Sequence, residues 1–136
     1  MRDLSGLPDL TVALVQTTLA WHDRQANFDH FDELLQQAAG ADLVVLPEMF
    51  TTGFSMDSKA LAEAENGPTT TWLREQAKKL DAVVTGSIII EAADGSHRNR
   101  LLWARPDGVV LHYDKRHLFR MAGEHEHFTP GERQVQ

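Results

Sequence analysis

The chain has 136 residues, enough for one domain that buries roughly two thirds of its unfolded surface. Hydrophobic residues make up 42% and charged residues 24%, which is typical of a globular protein rather than a disordered, fibrous or membrane protein. Thirteen Lys and Arg against twenty Asp and Glu give a net charge of -7, which argues against nucleic acid and anionic lipid as partners.

The sequence shows no membrane-spanning stretch, no signal-peptide pattern and no cysteine. No stretch approaches the roughly 18 apolar residues that span a bilayer, and the opening "MRDLSGLPDL" lacks the apolar core of a signal peptide. We therefore expect a cytoplasmic protein. The sequence contains no Cys, which excludes disulfides and thiolate metal sites within it.

The first third of the chain predicts a strand, a helix and a second strand. Apolar, β-branched runs at Leu10–Gln16 and Asp42–Glu48 predict two inner strands, and Pro47 stops the second because it cannot donate to a sheet ladder. Between them, apolar residues spaced three and four apart predict one face of a helix that ends before Gly40. These residues are Phe28, Phe31, Leu35 and Ala38.

The rest of the chain predicts another helix, a long strand and a hairpin. A helix is expected at Thr69–Leu80, directly after Pro68, and the apolar run Ala82–Ile90 predicts a strand covered on both faces. The "PDG" turn at Pro106–Gly108 lies between two short apolar runs, which favours an antiparallel hairpin. We therefore predict an α/β domain with a mixed sheet.

Two charged residues follow predicted strands. Glu48 ends the second strand, and Lys115 comes directly after the hairpin, where loops beyond strand ends commonly carry function. A carboxylate and an ammonium at such positions can serve as a base and an oxyanion stabiliser, although an ordinary salt bridge uses the same pair. A solvated loop carboxylate and a surface basic cluster are the competing interpretations.

The motifs around these two residues resemble a known family. "LPEMFTTGF" and "YDKRHLF" are similar to the glutamate and lysine motifs of the nitrilase superfamily of carbon-nitrogen hydrolases, in that order. "EHEHF" followed by "TPGE", and the "MFTTGF" form of the first motif, most resemble the omega-amidase branch, which deamidates monoamides of dicarboxylates such as 2-oxoglutaramate. "VALVQTTLAWHD" and "RNRLLWARPDG" extend the resemblance over nearly the whole chain.

The resemblance implies a mechanism and assigns residues to it. A Cys thiolate attacks the amide carbon, a Glu exchanges protons, and a Lys stabilises the oxyanion. Glu48 matches the base and Lys115 the oxyanion partner. A second glutamate, which orients the lysine and substrate, matches Glu124, with Glu126 as the competing choice. The chemistry requires no metal and no organic cofactor.

The resemblance also implies an architecture and an oligomeric state. Members of this family fold as an α-β-β-α sandwich with mixed sheets, and their subunits pair through the helical layers. We expect residues 1–136 to be the N-terminal half of a single carbon-nitrogen hydrolase domain that forms a homodimer when full length. A small-molecule amide is the expected substrate.

The family's nucleophilic Cys has no counterpart in this chain, which ends at Gln136. Residues 1–136 alone are therefore predicted to be inactive as an amidase. Ser55 and Ser87 are poor substitutes, because neither lies in a nucleophile-elbow pattern such as G-x-S-x-G.

Two other function classes are compatible with the sequence. One is a noncatalytic domain of the same fold that binds a small amide or a partner protein. The other is a metal-dependent binding module built on His117, His125 and His127 with the neighbouring glutamates, since imidazole and carboxylate are common ligands. We favour the hydrolase, and we expect no metal, because the resemblance already accounts for the histidine-rich segment.

Overall fold

The computed structural model of the protein describes residues 6–133, which form six strands and four α-helices. The strands are β1 (Val12–Leu14), β2 (Leu43–Val45), β3 (Glu63–Ala64), β4 (Val83–Glu91), β5 (His97–Ala104) and β6 (Val110–Asp114). The helices are α1 (Arg24–Leu34), α2 (Ser58–Leu61), α3 (Pro68–Leu80) and α4 (Glu124–His127), with short 3-10 turns at Leu35–Ala38 and Arg120–Ala122. Among them, no helix is both long and apolar enough to cross a membrane.

The strands form one mixed sheet in the order β1-β2-β4-β5-β6, with β3 paired to the end of β4. β1, β2 and β4 run parallel to one another, whereas β5 runs antiparallel to both of its neighbours, β4 and β6. The predicted mixed sheet and hairpin are therefore confirmed. The strand–helix–strand unit gives the parallel part because a parallel return needs a crossover helix, and the tight turn gives the antiparallel part.

Helices α1 and α3 cover one face of the sheet. The predicted apolar face of the first helix is buried, although its last part, from Leu35, is a 3-10 turn. Asp23 caps α1 by accepting a hydrogen bond from the Ala26 N–H at 3.0 Å, and Pro68 opens α3. Alternate β4 side chains pack beneath these helices, and Gly86 leaves room for the Phe50 ring, which would meet a Cβ atom there at 2.8 Å.

The other side chains of β4 and β5 lie on the second face of the sheet. Ile89 belongs to a separate apolar cluster with Met49 and Phe128, and its cross-strand neighbour is Asn99. Because strand side chains alternate between faces, Ser87 lies on this second face as well. The second face therefore combines a small apolar cluster with buried polar groups.

Among residues 6–133, the strand predicted at Leu10–Gln16 is not an inner strand. β1 has only three residues and lies at the edge of the sheet, and Leu10 and Leu14 are 67% and 76% exposed. An apolar run predicts a strand, but the number of its neighbours depends on residues far away in the chain. β2 is an inner strand as predicted, between β1 and β4.

Candidate active site

Glu48 lies in a turn that is fastened to the centre of the sheet. β2 ends at Val45, and the chain turns sharply at Met49, which has a positive φ of 48°. The Met49 N–H donates to Ser87 Oγ at 2.9 Å, and the Phe50 N–H donates to the Ser87 carbonyl at 3.2 Å. These two bonds to β4 hold the turn so that the Glu48 side chain lies over the second face of the sheet.

Lys115 is held by main-chain bonds on both sides. It follows the last residue of β6, and its N–H donates to the Asn99 carbonyl at 2.9 Å. Its carbonyl accepts from the Gly131 N–H, also at 2.9 Å. The Lys115 Nζ lies 2.8 Å from Glu48 Oε1 and 2.9 Å from Glu124 Oε2, so one ammonium joins two carboxylates.

Glu124 is the first residue of α4 and is fully buried. Its Oε2 accepts a hydrogen bond of 2.6 Å from the Phe119 N–H in addition to the Lys115 contact. Glu126, the competing candidate for the second glutamate, is exposed. The structure therefore brings Glu48, Lys115 and Glu124 together and leaves Glu126 outside the cluster.

Asn99, which was not predicted from the sequence, contacts both carboxylates. Its Nδ2 donates to Glu48 Oε1 at 2.7 Å and to Glu124 Oε1 at 2.9 Å, and the residue is buried. One signal was present in the sequence: Asn99 is a polar residue two positions before Leu101 and therefore on the same face of β5. A polar side chain on a buried strand face requires hydrogen-bond partners.

The contacts in this cluster favour the charged forms of Glu124 and Lys115. Burial opposes ionisation of Glu124, but hydrogen bonds from Asn99 and the Phe119 N–H, together with Lys115, outweigh it and lower the pKa of this carboxyl. Burial likewise disfavours the Lys115 ammonium, but Glu48 and Glu124 outweigh that cost and raise the pKa of Lys115. The pair therefore stays ionised on both sides of neutral pH.

Two cavities meet at Glu48 and Lys115. The larger has a volume of about 690 Å³ and apolar walls that include Phe54, Phe119 and Met121. The smaller, of about 310 Å³, extends over Ser87, Asn99 and Tyr113. A carboxylate and an ammonium thus line space that a small molecule can enter.

The hydrogen bonds leave two groups available for chemistry. Glu48 Oε1 accepts from both Lys115 and Asn99, whereas Glu48 Oε2 has no hydrogen bond among residues 6–133. Two of the three Lys115 ammonium protons are directed at Glu48 and Glu124, which leaves one to donate elsewhere. The arrangement can accept a proton at one oxygen and stabilise an oxyanion at one nitrogen.

The metal hypothesis gains no support from the geometry. In the part of the chain that the structure describes, no three His, Asp or Glu side chains are grouped to hold a metal ion. His125 and His127 are exposed on α4, and Glu124 faces Lys115.

The two serines considered as substitute nucleophiles serve other contacts. Ser55 is buried, and its hydroxyl lies 2.7 Å from His22 Nε2. Ser87 accepts the hydrogen bond from Met49 that holds the Glu48 turn.

Several curated relatives of the chain are named as amidases. The omega-amidase YafV of Yersinia enterocolitica is 50% identical over 129 residues, covering 93% of this chain and 49% of that protein. The omega-amidase YafV of Escherichia coli K12 is 43% identical, covering 95% of the chain and 50% of that protein. The chain therefore spans about half the length of the curated relatives it matches.

Solved structures and a family match lead to the same group of proteins. XC1258 of Xanthomonas campestris, a CN-hydrolase superfamily protein, aligns with a TM-score of 0.90 and 45% identity over 95% of this chain and 49% of that one. Nit3 of Saccharomyces cerevisiae, a nitrilase superfamily member, aligns with a TM-score of 0.77 and 26% identity over 93% of this chain and 50% of that one. The predicted α/β fold of the nitrilase type is thus confirmed. Residues 11–136 match the carbon-nitrogen hydrolase family, and the chain therefore belongs to that family.

Proposed function

We propose that the chain is the N-terminal part of an omega-amidase that hydrolyses monoamides of dicarboxylates such as 2-oxoglutaramate. In this proposal Glu48, Lys115 and Glu124 act with a Cys that lies beyond residue 136. The observation that carries the proposal is the position of the Lys115 Nζ, 2.8 Å from Glu48 Oε1 and 2.9 Å from Glu124 Oε2, at the junction of two cavities. The omega-amidase relatives supply the substrate class.

Each residue has one step in the proposed reaction. Glu48 takes the thiol proton through its free Oε2, and the thiolate sulfur bonds to the amide carbon. The carbonyl oxygen becomes an oxyanion that accepts a hydrogen bond from Lys115. Glu48 then returns the proton to the nitrogen as the C–N bond breaks and ammonia leaves, and it next activates the water that hydrolyses the thioester. Glu124 keeps Lys115 charged and in place.

The larger cavity suits a substrate with an apolar middle and an anionic end. Its walls include Phe54 and Met121, and Arg120 and His117 also line it. A guanidinium binds a carboxylate well because two N–H groups can donate in parallel. These side chains support a dicarboxylate monoamide, with its amide at Lys115 and its free carboxylate toward Arg120.

The exposed edge strand β1 supports the proposal that the chain is part of a longer protein. Val12 and Leu14 of β1 are apolar and exposed, and an uncovered apolar edge strand promotes association. We propose that residues beyond 136 cover this edge and provide the second sheet of the sandwich. We further propose a cytoplasmic homodimer, which cell fractionation and light scattering on the full-length protein will test.

The experiment compares ammonia release from 2-oxoglutaramate and succinamate by three proteins: the full-length gene product, its Glu48→Gln variant, and residues 1–136. We expect activity in the first and a loss of about 10³-fold or more in the second, because the variant has no base. Residues 1–136 are expected to be inactive. Glu126→Gln serves as the matched control, because it removes an exposed carboxylate outside the cluster.

Three results would contradict the proposal. If the full-length protein releases no ammonia, the proposed amidase activity is refuted. If the Glu48→Gln variant is fully active, Glu48 is not the base. Downstream sequence without a Cys after an apolar strand favours the alternative of a noncatalytic domain that binds an amide or a protein partner.

A further inference from the structure

We propose that Asn99 is a positioning residue that holds the Glu48 and Glu124 carboxylates in their working orientation. The inference rests on the proposed function, because it concerns the orientation of the proposed base. The neutral Asn99 amide joins the two carboxylates, in addition to the Lys115 ammonium, and leaves a single Glu48 oxygen free.

Both protons of the Asn99 side-chain amide are used. Nδ2 donates to Glu48 Oε1 at 2.7 Å and to Glu124 Oε1 at 2.9 Å, and the residue is only 2% exposed. The opposite orientation of the amide would place Oδ1 against two carboxylate oxygens, so the contacts fix which end is the donor. A buried amide with both donors on carboxylates is a rigid link between them.

The main chain of Asn99 holds the third member of the cluster. Its carbonyl accepts the Lys115 N–H at 2.9 Å, at the point where β6 ends beside β5. One residue in the centre of the sheet therefore contacts Glu48, Glu124 and Lys115. A displacement of Asn99 would move all three groups together.

An amide suits this position for an electrostatic reason. Two carboxylates share one ammonium, so the cluster carries one uncompensated negative charge when all three groups are ionised. A second cation would neutralise that charge but would also make the Glu48 carboxylate a weaker base. The amide stabilises both carboxylates through its N–H groups and transfers no proton itself at accessible pH.

The position of the Asn99 amide also determines which Glu48 oxygen reacts. Glu48 Oε1 already accepts from Asn99 and Lys115, so Oε2 is the oxygen that remains for proton transfer. Without Asn99, Lys115 is the one remaining donor among residues 6–133 to that carboxylate, and the group can rotate. Asn99 therefore acts on the catalytic step through Glu48 rather than by touching the substrate.

The test uses the full-length protein with Asn99→Leu, Asn99→Asp and a control, Thr85→Val. Thr85 is buried on the adjacent strand β4 and donates to the Leu102 carbonyl at 2.7 Å, so its loss removes a buried hydrogen bond away from the carboxylates. Asn99→Leu removes both hydrogen bonds to the carboxylates, and the one to the base Glu48 acts on the reaction. We expect its loss to lower kcat about 10- to 100-fold, with KM changed less than about threefold. Thr85→Val should keep the wild-type kcat.

Asn99→Asp separates positioning from simple destabilisation. It keeps the shape of the side chain, but a carboxyl group donates a hydrogen bond only when it is protonated. Its activity relative to wild type should therefore rise as the pH is lowered, whereas Asn99→Leu has no such group. This readout decides the question even if Asn99→Leu fails to fold.

The outcomes distinguish this inference from the proposed function. An active wild type with Asn99→Leu within about threefold of its kcat overturns the positioning role alone. So does an Asn99→Asp variant whose relative activity does not change with pH, or a Thr85→Val variant that loses as much kcat as Asn99→Leu. A full-length wild type without amidase activity overturns the proposed function first and this inference with it.

Discussion

Replacing Glu124 by Gln tests the most deeply buried charge in the cluster. Three donors converge on this carboxylate: Lys115 Nζ, the Phe119 N–H and Asn99 Nδ2. Glutamine has nearly the same shape but turns one of the two oxygens into an NH₂ group, which then faces a donor. If the remaining oxygen stays with Lys115 and Phe119, the Asn99 donor loses its acceptor.

The contacts of Glu124 determine how much stability the Glu124→Gln variant is expected to lose. Glu124→Gln removes about one hydrogen bond to a charged group and leaves the Lys115 ammonium with one carboxylate instead of two. A charge-assisted bond contributes roughly 1.5–3 kcal/mol, and an unsatisfied buried donor adds to the loss. We therefore expect the free energy of unfolding at pH 7 to fall by about 2–4 kcal/mol. Glu126→Gln, exposed and two residues away, should change it by less than about 0.5 kcal/mol.

The assay is urea denaturation of wild type, Glu124→Gln and Glu126→Gln at several pH values. Because contacts lower the pKa of Glu124, its ionised form stabilises the folded state above the ordinary value of 4.5. This stabilisation is lost as the pH falls through the lowered value. The difference in unfolding free energy between wild type and Glu124→Gln should therefore be largest near neutral pH and should decrease in acid.

Two results would refute this reasoning. Equal unfolding free energies for Glu124→Gln and Glu126→Gln at pH 7 would mean that the buried carboxylate contributes nothing. A difference that stays constant from neutral pH into acid would mean that the loss comes from packing rather than charge.

The remaining predictions concern Lys115 and its neighbour Gly131. Lys115→Met should abolish amidase activity of the full-length protein. It should also lower the free energy of unfolding, measured by urea denaturation, by the same amount from neutral pH to about 10.5, and by less as the pH rises through the raised pKa of Lys115. A difference in unfolding free energy between wild type and Lys115→Met that stays the same as the pH rises above 10.5 would contradict this. Gly131→Ala should lower stability by about 1–3 kcal/mol and reduce kcat, because a Cβ atom there would collide with the Asp114 backbone beside Lys115. An alanine variant with wild-type melting temperature and kcat would show that this close approach is unimportant.

Local patterns predicted most of the elements correctly. Spacing of three and four residues identified α1 through Phe28 and Phe31, and Pro68 marked the start of α3. The "PDG" turn identified the hairpin of β5 and β6. These signals succeed because a helix face, a helix start and a tight turn are determined within a few residues of sequence.

Predictions failed where neighbours in the fold are distant in sequence. β1 was expected to be an inner strand, but its place at the edge depends on which strands pair with it. The segment containing Glu124 and His125 was explained by resemblance alone. The structure makes it a short helix that buries Glu124 and exposes His125, because the Phe119 N–H, Asn99 and Lys115 together satisfy the carboxylate.

The sequence by itself determined the chemistry that is available: a glutamate after one strand, a lysine after a hairpin, and motifs that resemble one hydrolase family. The tertiary structure decided which groups meet, since Glu48 and Lys115 are 67 residues apart in sequence but 2.8 Å apart in space. It also placed Glu124 rather than Glu126 beside Lys115 and revealed Asn99 between the carboxylates. The physical reason is that a buried charge is stable only where donors from several strands and loops converge, and that convergence is a property of the folded chain.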